Sequence, residues 1–405
     1  MDTNTKFGLP KNVVHCKKCL MTNQKPFSVN ESKSKRDSKK DSLVFNQEGV
    51  CAACSYNDEK KNINWEEREL LLEEMLSKHR KTNGSYDCII SGSGGKDSQF
   101  QAHILKNKYN MHPLTVTYSP IIYTDVGTRN LRNWINVGGF DNYLFSPNGQ
   151  VTSILTKEAF TNLLHPMQPF KFGIKTFAAK MAIKHEIDLI IYGEPYAEYG
   201  SSDKNQTDDA KYDLDWLVND NEINIAGLSL NELKKKYQWI QDYDLNPYIP
   251  LKSKDIEKST LSVEFLGWYL KWDPQEIYYY AAKKSGFEID DQRTDSTYGR
   301  YTGTDDKFEW LHFYCQYIKF GIGRCRFDAS QEIRNGHITR EEGILLCRKF
   351  EGNIPDRYLK DCFEFMNIDE KDAWHIIDKF RPDHLWEKRN GEWDLIQELP
   401  EIKKI

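Results

Sequence analysis

The chain has 405 residues, 39% of them hydrophobic, 13% aromatic and 29% charged, with a mean hydropathy of -0.71. This composition fits two or three folded domains with a sizeable core, and it excludes a stapled mini-protein, a disordered chain and a membrane-embedded one. Fifty-six basic against 61 acidic side chains give a net charge of -5, so no global positive field exists to attract nucleic acid.

The opening MDTNTKFGLP has no apolar signal core, and no run approaches the roughly 18 apolar residues of a spanning helix. The sequence is read as cytoplasmic. Four of the nine cysteines fall in two tight pairs, Cys16-x2-Cys19 and Cys51-x2-Cys54. The spacing suits a closed tetrahedral Zn2+ site of structural type, although it leaves iron–sulfur and redox alternatives open. His15 is read as a neighbour of that site rather than a ligand, and Cys88 as core. Between the pairs, Glu31 to Ser42 (ESKSKRDSKKDS) has no apolar residue and is read as a mobile loop within a cysteine module spanning 1–63.

Trp65 to Lys81 places Leu70, Leu71 and Met75 at helical spacing, which predicts an amphipathic helix. Strand-like runs then alternate with helical ones: strands at Tyr86–Ile90, Leu114–Tyr118, Tyr143–Phe145 and Asp188–Tyr192, with helices near 97–108, 130–137, 151–164 and 172–186. This alternation over 64–200 predicts an α/β fold, a doubly wound parallel sheet whose ligands lie beyond the C-terminal strand ends. An irregular acidic connector (201–250, with a helix around 228–240) and a mainly helical C-terminal region (251–405) follow. The aromatic stretch Trp268 to Tyr280 has helical spacing and is read as core packing.

The first strand runs into SGSGGKDS, Ser91 to Ser98, and then into a helix. Glycines admit a ligand close to the backbone, and a helix N-terminus favours phosphate. Asp97 after Lys96 breaks the Walker A pattern, and the dinucleotide spacing is absent. Ser93, Gly94, Gly95, Lys96, Asp97 and Ser98 resemble the SGGxDS motif of the PP-loop ATP pyrophosphatases. That resemblance implies ATP and Mg2+, with Ser91, Gly193 and the backbone of Val116, Thr117 and Tyr118 completing the nucleotide site. Lys96 is implied as the partner of the leaving pyrophosphate, Asp97 as an organiser of metal or loop, and Glu194 as a ligand of Mg2+ or a guide for substrate.

HCKKCLM, GVCAACSYND, SGSGGKDS, IIYGEPYAEYG, FLGWYLKWDP and YIKFGIGRCRFDASQEIRNGHITREEG together resemble the N-acetyl sugar amidotransferases of bacterial surface-polysaccharide and nonulosonic-acid biosynthesis, from about Val14 to Asp356. The segment Glu31 to Ser42 is longer than that family's zinc module usually has. The resemblance implies conversion of an acetamido group on a UDP- or CMP-linked sugar to an acetamidino group. Its oxygen would be adenylated, and ammonia would then displace AMP. Ammonia would come from a separate glutaminase resembling that of imidazole glycerol phosphate synthase, with or without a cyclase-like companion, since this chain carries no recognisable glutaminase arrangement. Candidates for catalysis or substrate charge are Lys175, Arg324 and Arg334, joined by Glu198, Tyr199 and Gly200 near the strand that precedes Glu194. The chief rival reading is a PP-loop tRNA thiolase, for which Cys325 is the tempting catalytic thiol.

Overall fold

The computed structural model describes residues 2–27, 31–200 and 209–402; the first part of the acidic stretch, 201–208, lies outside them. Strands β1 (Cys88–Ser91), β2 (Pro113–Tyr118), β3 (Asn142–Phe145) and β4 (Leu189–Tyr192) form in chain order. A small hairpin, β5 (Asn224–Ile225) and β6 (Leu228–Ser229), precedes β7 (Ser262–Phe265), and a second hairpin, β8 (Trp386–Arg389) and β9 (Glu392–Leu395), closes the chain. The main sheet is five-stranded in the order β3-β2-β1-β4-β7, and every pairing in it is parallel.

Side chains alternate across this sheet, as the pleat requires. Cys88, Ile90, Leu189 and Ile191 face a core shared with the helices Trp65–His79, Lys96–Asn107 and Pro274–Lys284. Ile89, Leu114, Val116, Ile190 and Val263 face the opposite core, built on Ala178, Ala179 and Ala182 of the helix Gln168–Lys184. Helices on both faces make the sheet doubly wound, as its near-continuous apolar strands predict.

Several expectations need correcting. In Trp65–His79 the buried stripe is Leu72, Met75 and Leu76, an i, i+3, i+4 set, whereas Leu70 and Leu71 are exposed. The fifth strand, β7, comes from the region expected to be mainly helical; it is only four residues long and abuts the aromatic run that gives the helical signal. The helix expected at 228–240 is confined to Leu230–Lys236, because its first residues form β6 and the hairpin.

The segment Glu31 to Ser42 is folded against the body rather than mobile. Glu31–Lys33 is a 3-10 turn with Ser32 buried, the Ser32 hydroxyl accepts from Asn219 at 2.8 Å, and Pro26 bridges to Ser42. Ser32 and Lys39 have tertiary hydrogen-bond partners that composition does not reveal, whereas Lys33, Lys35, Arg36 and Asp37 stay exposed. Beyond β7 the chain up to β8 is mainly helical, interrupted by an irregular stretch from 285 to 307, and Tyr269, Trp272 and Ile277 of the aromatic stretch are core. Among the described residues no helix is long and apolar enough to cross a membrane.

Candidate active site

The strand order reverses direction at β1, with β2 on one side and β4 on the other. A crevice therefore opens beyond the C-terminal ends of these strands, and SGSGGKDS lies in it. Gly92 donates to the Val116 carbonyl at 3.0 Å. A Cβ on Gly92 would come within 2.2 Å of Ser98, and one on Gly94, whose φ is +90°, within 2.7 Å of the Leu131 backbone. Gly95 has nothing within 4 Å of such an atom. Two glycines thus pack the loop, and the third leaves space beside the first turn of the helix Lys96–Asn107. Gly95 caps that helix without a side-chain acceptor, so first-turn N–H groups lack intrahelical partners. The arrangement is a cradle for anionic oxygens.

The Gln99 amide fixes the loop from behind by donating to the Gly94 carbonyl at 2.8 Å and the Asn130 carbonyl at 3.2 Å, and the Ser98 hydroxyl donates to the Gly95 carbonyl at 3.0 Å. Lys96 is buried, with Nζ 2.7 Å from both Asp97 oxygens and 5.9 Å from the Tyr301 ring centroid. Past Tyr301 lies a shallow groove lined by Asp273, Tyr298, Asp328, Glu332 and His337 among others.

β4 supplies the facing wall. Gly193 is constrained by packing, since a Cβ there would sit 2.7 Å from Trp272, and it delivers Glu194 to the crevice. Burial and the nearby Asp97 charge raise the Glu194 carboxyl to about 7, and the Tyr199 hydroxyl donates to its Oε1. Tyr199 itself stays 38% exposed, so this wall is open to solvent. Asp97 and Glu194 form a pair of hard oxygen donors of the kind Mg2+ takes.

In β2 the Val116 carbonyl is taken by Gly92, the Thr117 hydroxyl accepts from Asn142 at 3.0 Å, and the Tyr118 ring is buried among Phe145, Phe170, Phe177 and Tyr248. Glu198 is turned away and buried in an ion pair with Lys60. The φ of Gly200 is +76°, and the residue packs against Leu43 and Ala53. Arg334 donates to the Glu198 carbonyl at 3.3 Å, and its own carbonyl accepts at 2.8 Å from Asn57 on the helix Ala52–Lys60 of the cysteine module. It braces the cysteine module and does not reach the loop. Arg324 is near the crevice, with Nε 2.9 Å from Asp328 and Nη1 3.6 Å from Glu309, and its charge also acts on Tyr199. Lys175, on the helix Gln168–Lys184, lies 5.3 Å from the Trp216 ring centroid, and burial lowers its pKa.

The residues missed in the sequence come from the far end of the chain. Ser93 donates to Asp305, and the backbone of Asp305 accepts from Thr124 at 3.2 Å. Asp306 accepts from the Ile121 N–H at 2.6 Å and the Phe308 N–H at 2.9 Å. Glu309 is raised to about 7 by burial and by Asp305, against the pull of Arg324 and Lys171. The only sequence signal for these residues is the adjacent acidic pair in GTDDKFEW.

The Sγ atoms of Cys16, Cys19, Cys51 and Cys54 all lie within 4.8 Å of one another and are buried; Cys16 to Cys54 is 3.9 Å and Cys19 to Cys51 is 3.7 Å. Ligands about 2.3 Å from a central ion stand roughly 3.8 Å apart in a tetrahedron, and the spacing of these sulfurs is compatible with a shared metal ion. Backbone N–H groups of Lys18, Met21 and Cys51 point at the sulfurs at 3.3–3.4 Å. His15 stays outside, 2.8 Å from Gln397. Cys325 is fully buried beside Cys347, and burial together with that neighbour pushes its thiol up.

The chain is similar to known proteins in three ways. It is 36% identical over 90 residues, 22% of its length, to an uncharacterized protein, MJ1599, of Methanocaldococcus jannaschii, and the match spans 30% of that relative. Among solved structures, it aligns with NMN synthetase from Francisella tularensis at 15% identity and TM-score 0.30, covering 78% of this chain and 96% of that one. It also aligns with the U34-tRNA thiolase NcsA from Methanococcus maripaludis, bearing its [4Fe-4S] cluster, at 11% identity and TM-score 0.28, covering 74% and 84%. Residues 295–400, which include Glu309 and Arg324, match the family model described as "LPS biosynthesis protein WbpG-like, C-terminal domain". One chain thus carries a parallel sheet with an SGSGGKDS loop, a four-cysteine cluster and a C-terminal segment similar to that of WbpG-like LPS biosynthesis proteins.

Proposed function

We propose that this protein is an ATP-dependent, AMP-forming amidotransferase of bacterial surface-polysaccharide biosynthesis, acting on the acetamido group of a nucleotide-activated sugar. The observation that carries the reading is the loop at the switch point: Gly95 leaves an open, N–H-lined cradle, with Lys96 behind it and Glu194 opposite, and residues of the WbpG-like segment lie against the same crevice.

An amide carbonyl is a poor electrophile. In the first step the acetamido oxygen attacks the α-phosphorus of ATP, the bond to the β-phosphate oxygen breaks, and pyrophosphate leaves as the amide nitrogen gives up its proton. In the second, ammonia adds to the imidate carbon and AMP departs with the original oxygen, leaving an acetamidino group. The cradle and Lys96 stabilise charge that grows on pyrophosphate. Asp97 and Glu194 are the residues that would hold Mg2+, which neutralises phosphate charge when bound.

Glutaminase-derived ammonia from a partner subunit is part of this proposal. The thiolase alternative is disfavoured by Cys325, which is sealed in the core away from the crevice, and by the net negative charge. The test is release of AMP and pyrophosphate by the purified protein with ATP, Mg2+ and ammonium, across UDP- and CMP-linked acetamido sugars. Release that depends on one of these sugars supports the reading. Release that depends on tRNA and on none of the sugars moves the assignment to the thiolase.

A further inference from the structure

Behind Glu309 lies a second group of charges that the adenylation step does not use. Lys171 Nζ is 3.4 Å from His312 Nε2, the His312 ring stacks on His165 at 4.7 Å, and His165 Nε2 is 3.6 Å from Glu31. Lys40, Lys175 and Lys319 each feel the charges of both Glu31 and Lys171. Lys175 follows Lys171 by one turn of the helix Gln168–Lys184, Lys319 shares the helix Phe308–Phe320 with His312, and the Lys319 amine meets the chain at Leu163, two residues before His165; Lys40 is within electrostatic reach of the same group. Glu31 acts on Lys40, Lys175 and Lys319, and the Lys171 charge acts on both Glu31 and Glu309.

Lysines are ordinarily placed with the amine in water. Here Lys319 is buried, its amine held at 2.9 Å from the Leu163 carbonyl, and burial together with Lys40 lowers it to about 7. The Nδ1 atoms of His165 and His312 are buried with no hydrogen-bond partner, and His312 itself is more than nine-tenths buried. Concentrated like charge and unpartnered donors are costly in a core unless an anion completes them. The charges of both Lys171 and Asp305 reach Glu309, and Asp305 is the residue that accepts from Ser93 of the glycine loop.

We propose that Lys40, Lys171, Lys175 and Lys319, with His165 and His312, form an anion subsite that takes the phosphoanhydride or the carboxylate of the second substrate while ATP occupies the glycine loop. The naming of that ligand as a sugar nucleotide or sugar acid rests on the amidotransferase reading; the anion site itself does not.

The experiment uses the full chain, saturated with α,β-methylene ATP and Mg2+ so that the loop is filled and no turnover occurs. UDP and glucuronate are then titrated separately by calorimetry into wild type and into Lys171→Gln, Lys175→Met and Lys40→Gln. A phosphoanhydride source predicts that UDP binds and that each substitution weakens it by about ten-fold or more, with the affinity for the ATP analogue unchanged. A carboxylate source predicts the same pattern for glucuronate. The proposal is overturned if neither anion binds, if the variants bind as wild type does, or if UDP merely displaces the ATP analogue. Lys40 lies on an outer segment, so Lys40→Gln keeps the test decisive should a helix variant misfold. Because binding is read without turnover, failure of the amidination assay and failure of this test are separate results.

Discussion

The hydroxyl of Ser93, inside the glycine loop, donates a hydrogen bond to the carboxylate of Asp305, 212 residues further along the chain. The contact ties the ATP cradle to the segment that leads into the helix Phe308–Phe320, which carries Glu309. Replacing Asp305 with Asn retains a polar group but removes the charge. A hydrogen bond to a charged group contributes about 1.5–3 kcal/mol, so AMP formation by Asp305→Asn is expected to fall roughly ten- to a hundredfold with circular dichroism unchanged. Wild-type rates in this variant would show that the contact is incidental.

Gly94 and Gly95 separate folding from binding. Gly94→Ala forces a side chain onto the Leu131 backbone at a φ of +90°, and thermal melts are expected to show a loss of about 1–3 kcal/mol. Gly95→Ala meets no protein atom, so its melting temperature should match wild type while ATP binding drops, because the methyl group occupies ligand space.

The cysteine cluster is docked on the C-terminal helices. Arg340 donates to the Cys19 and Cys16 carbonyls at 3.4 Å, and the Leu20 N–H donates to Ser330 at 3.3 Å. Elemental analysis is expected to find one zinc per chain. Cys51→Ser or a strong chelator should remove it and cost on the order of several kcal/mol of stability. A protein equally stable without metal would show that the four sulfurs need no ion.

His165 and His312 set an acid limit on stability. Burial, aided by Lys171 and Lys319, outweighs the opposing pull of Glu31 and lowers His165 to about 4; burial, Lys171, His165, Lys319 and Arg324 lower His312 well below the usual 6.5. The unfolded chain therefore binds protons at these sites before the native one does, and stability is full above about pH 6.5 and falls as the pH drops toward 4. His165→Asn should flatten that fall by roughly 1–3 kcal/mol at pH 5 relative to pH 7.5, measured by denaturant titration. An unchanged slope would show that His165 is charged in the native state.

Much of this was legible because it is local. SGSGGKDS needs only a strand before it and a helix after it, and β1, β2, β3 and β4 announced themselves as short apolar runs. The paired cysteines likewise carry their geometry in their spacing. The rest depends on distant contacts: nothing near Asp305 in sequence points to Ser93, and nothing near Arg334 shows that it braces the cysteines rather than a substrate. β7 was hidden because four residues beside an aromatic helical run give no clear period of their own. The order of Glu31 to Ser42 came from partners such as Asn219 and His165, which composition cannot show.

The central claim is that the amide oxygen itself is adenylated. It is tested by carrying a heavy-oxygen label in the acetamido carbonyl of the sugar nucleotide that supports AMP release, with ammonium supplied, and by weighing both products. The label should appear in AMP, one per turnover, and the sugar should be lighter by the difference between O and NH. Label retained on the sugar, with AMP unlabelled, would contradict the account.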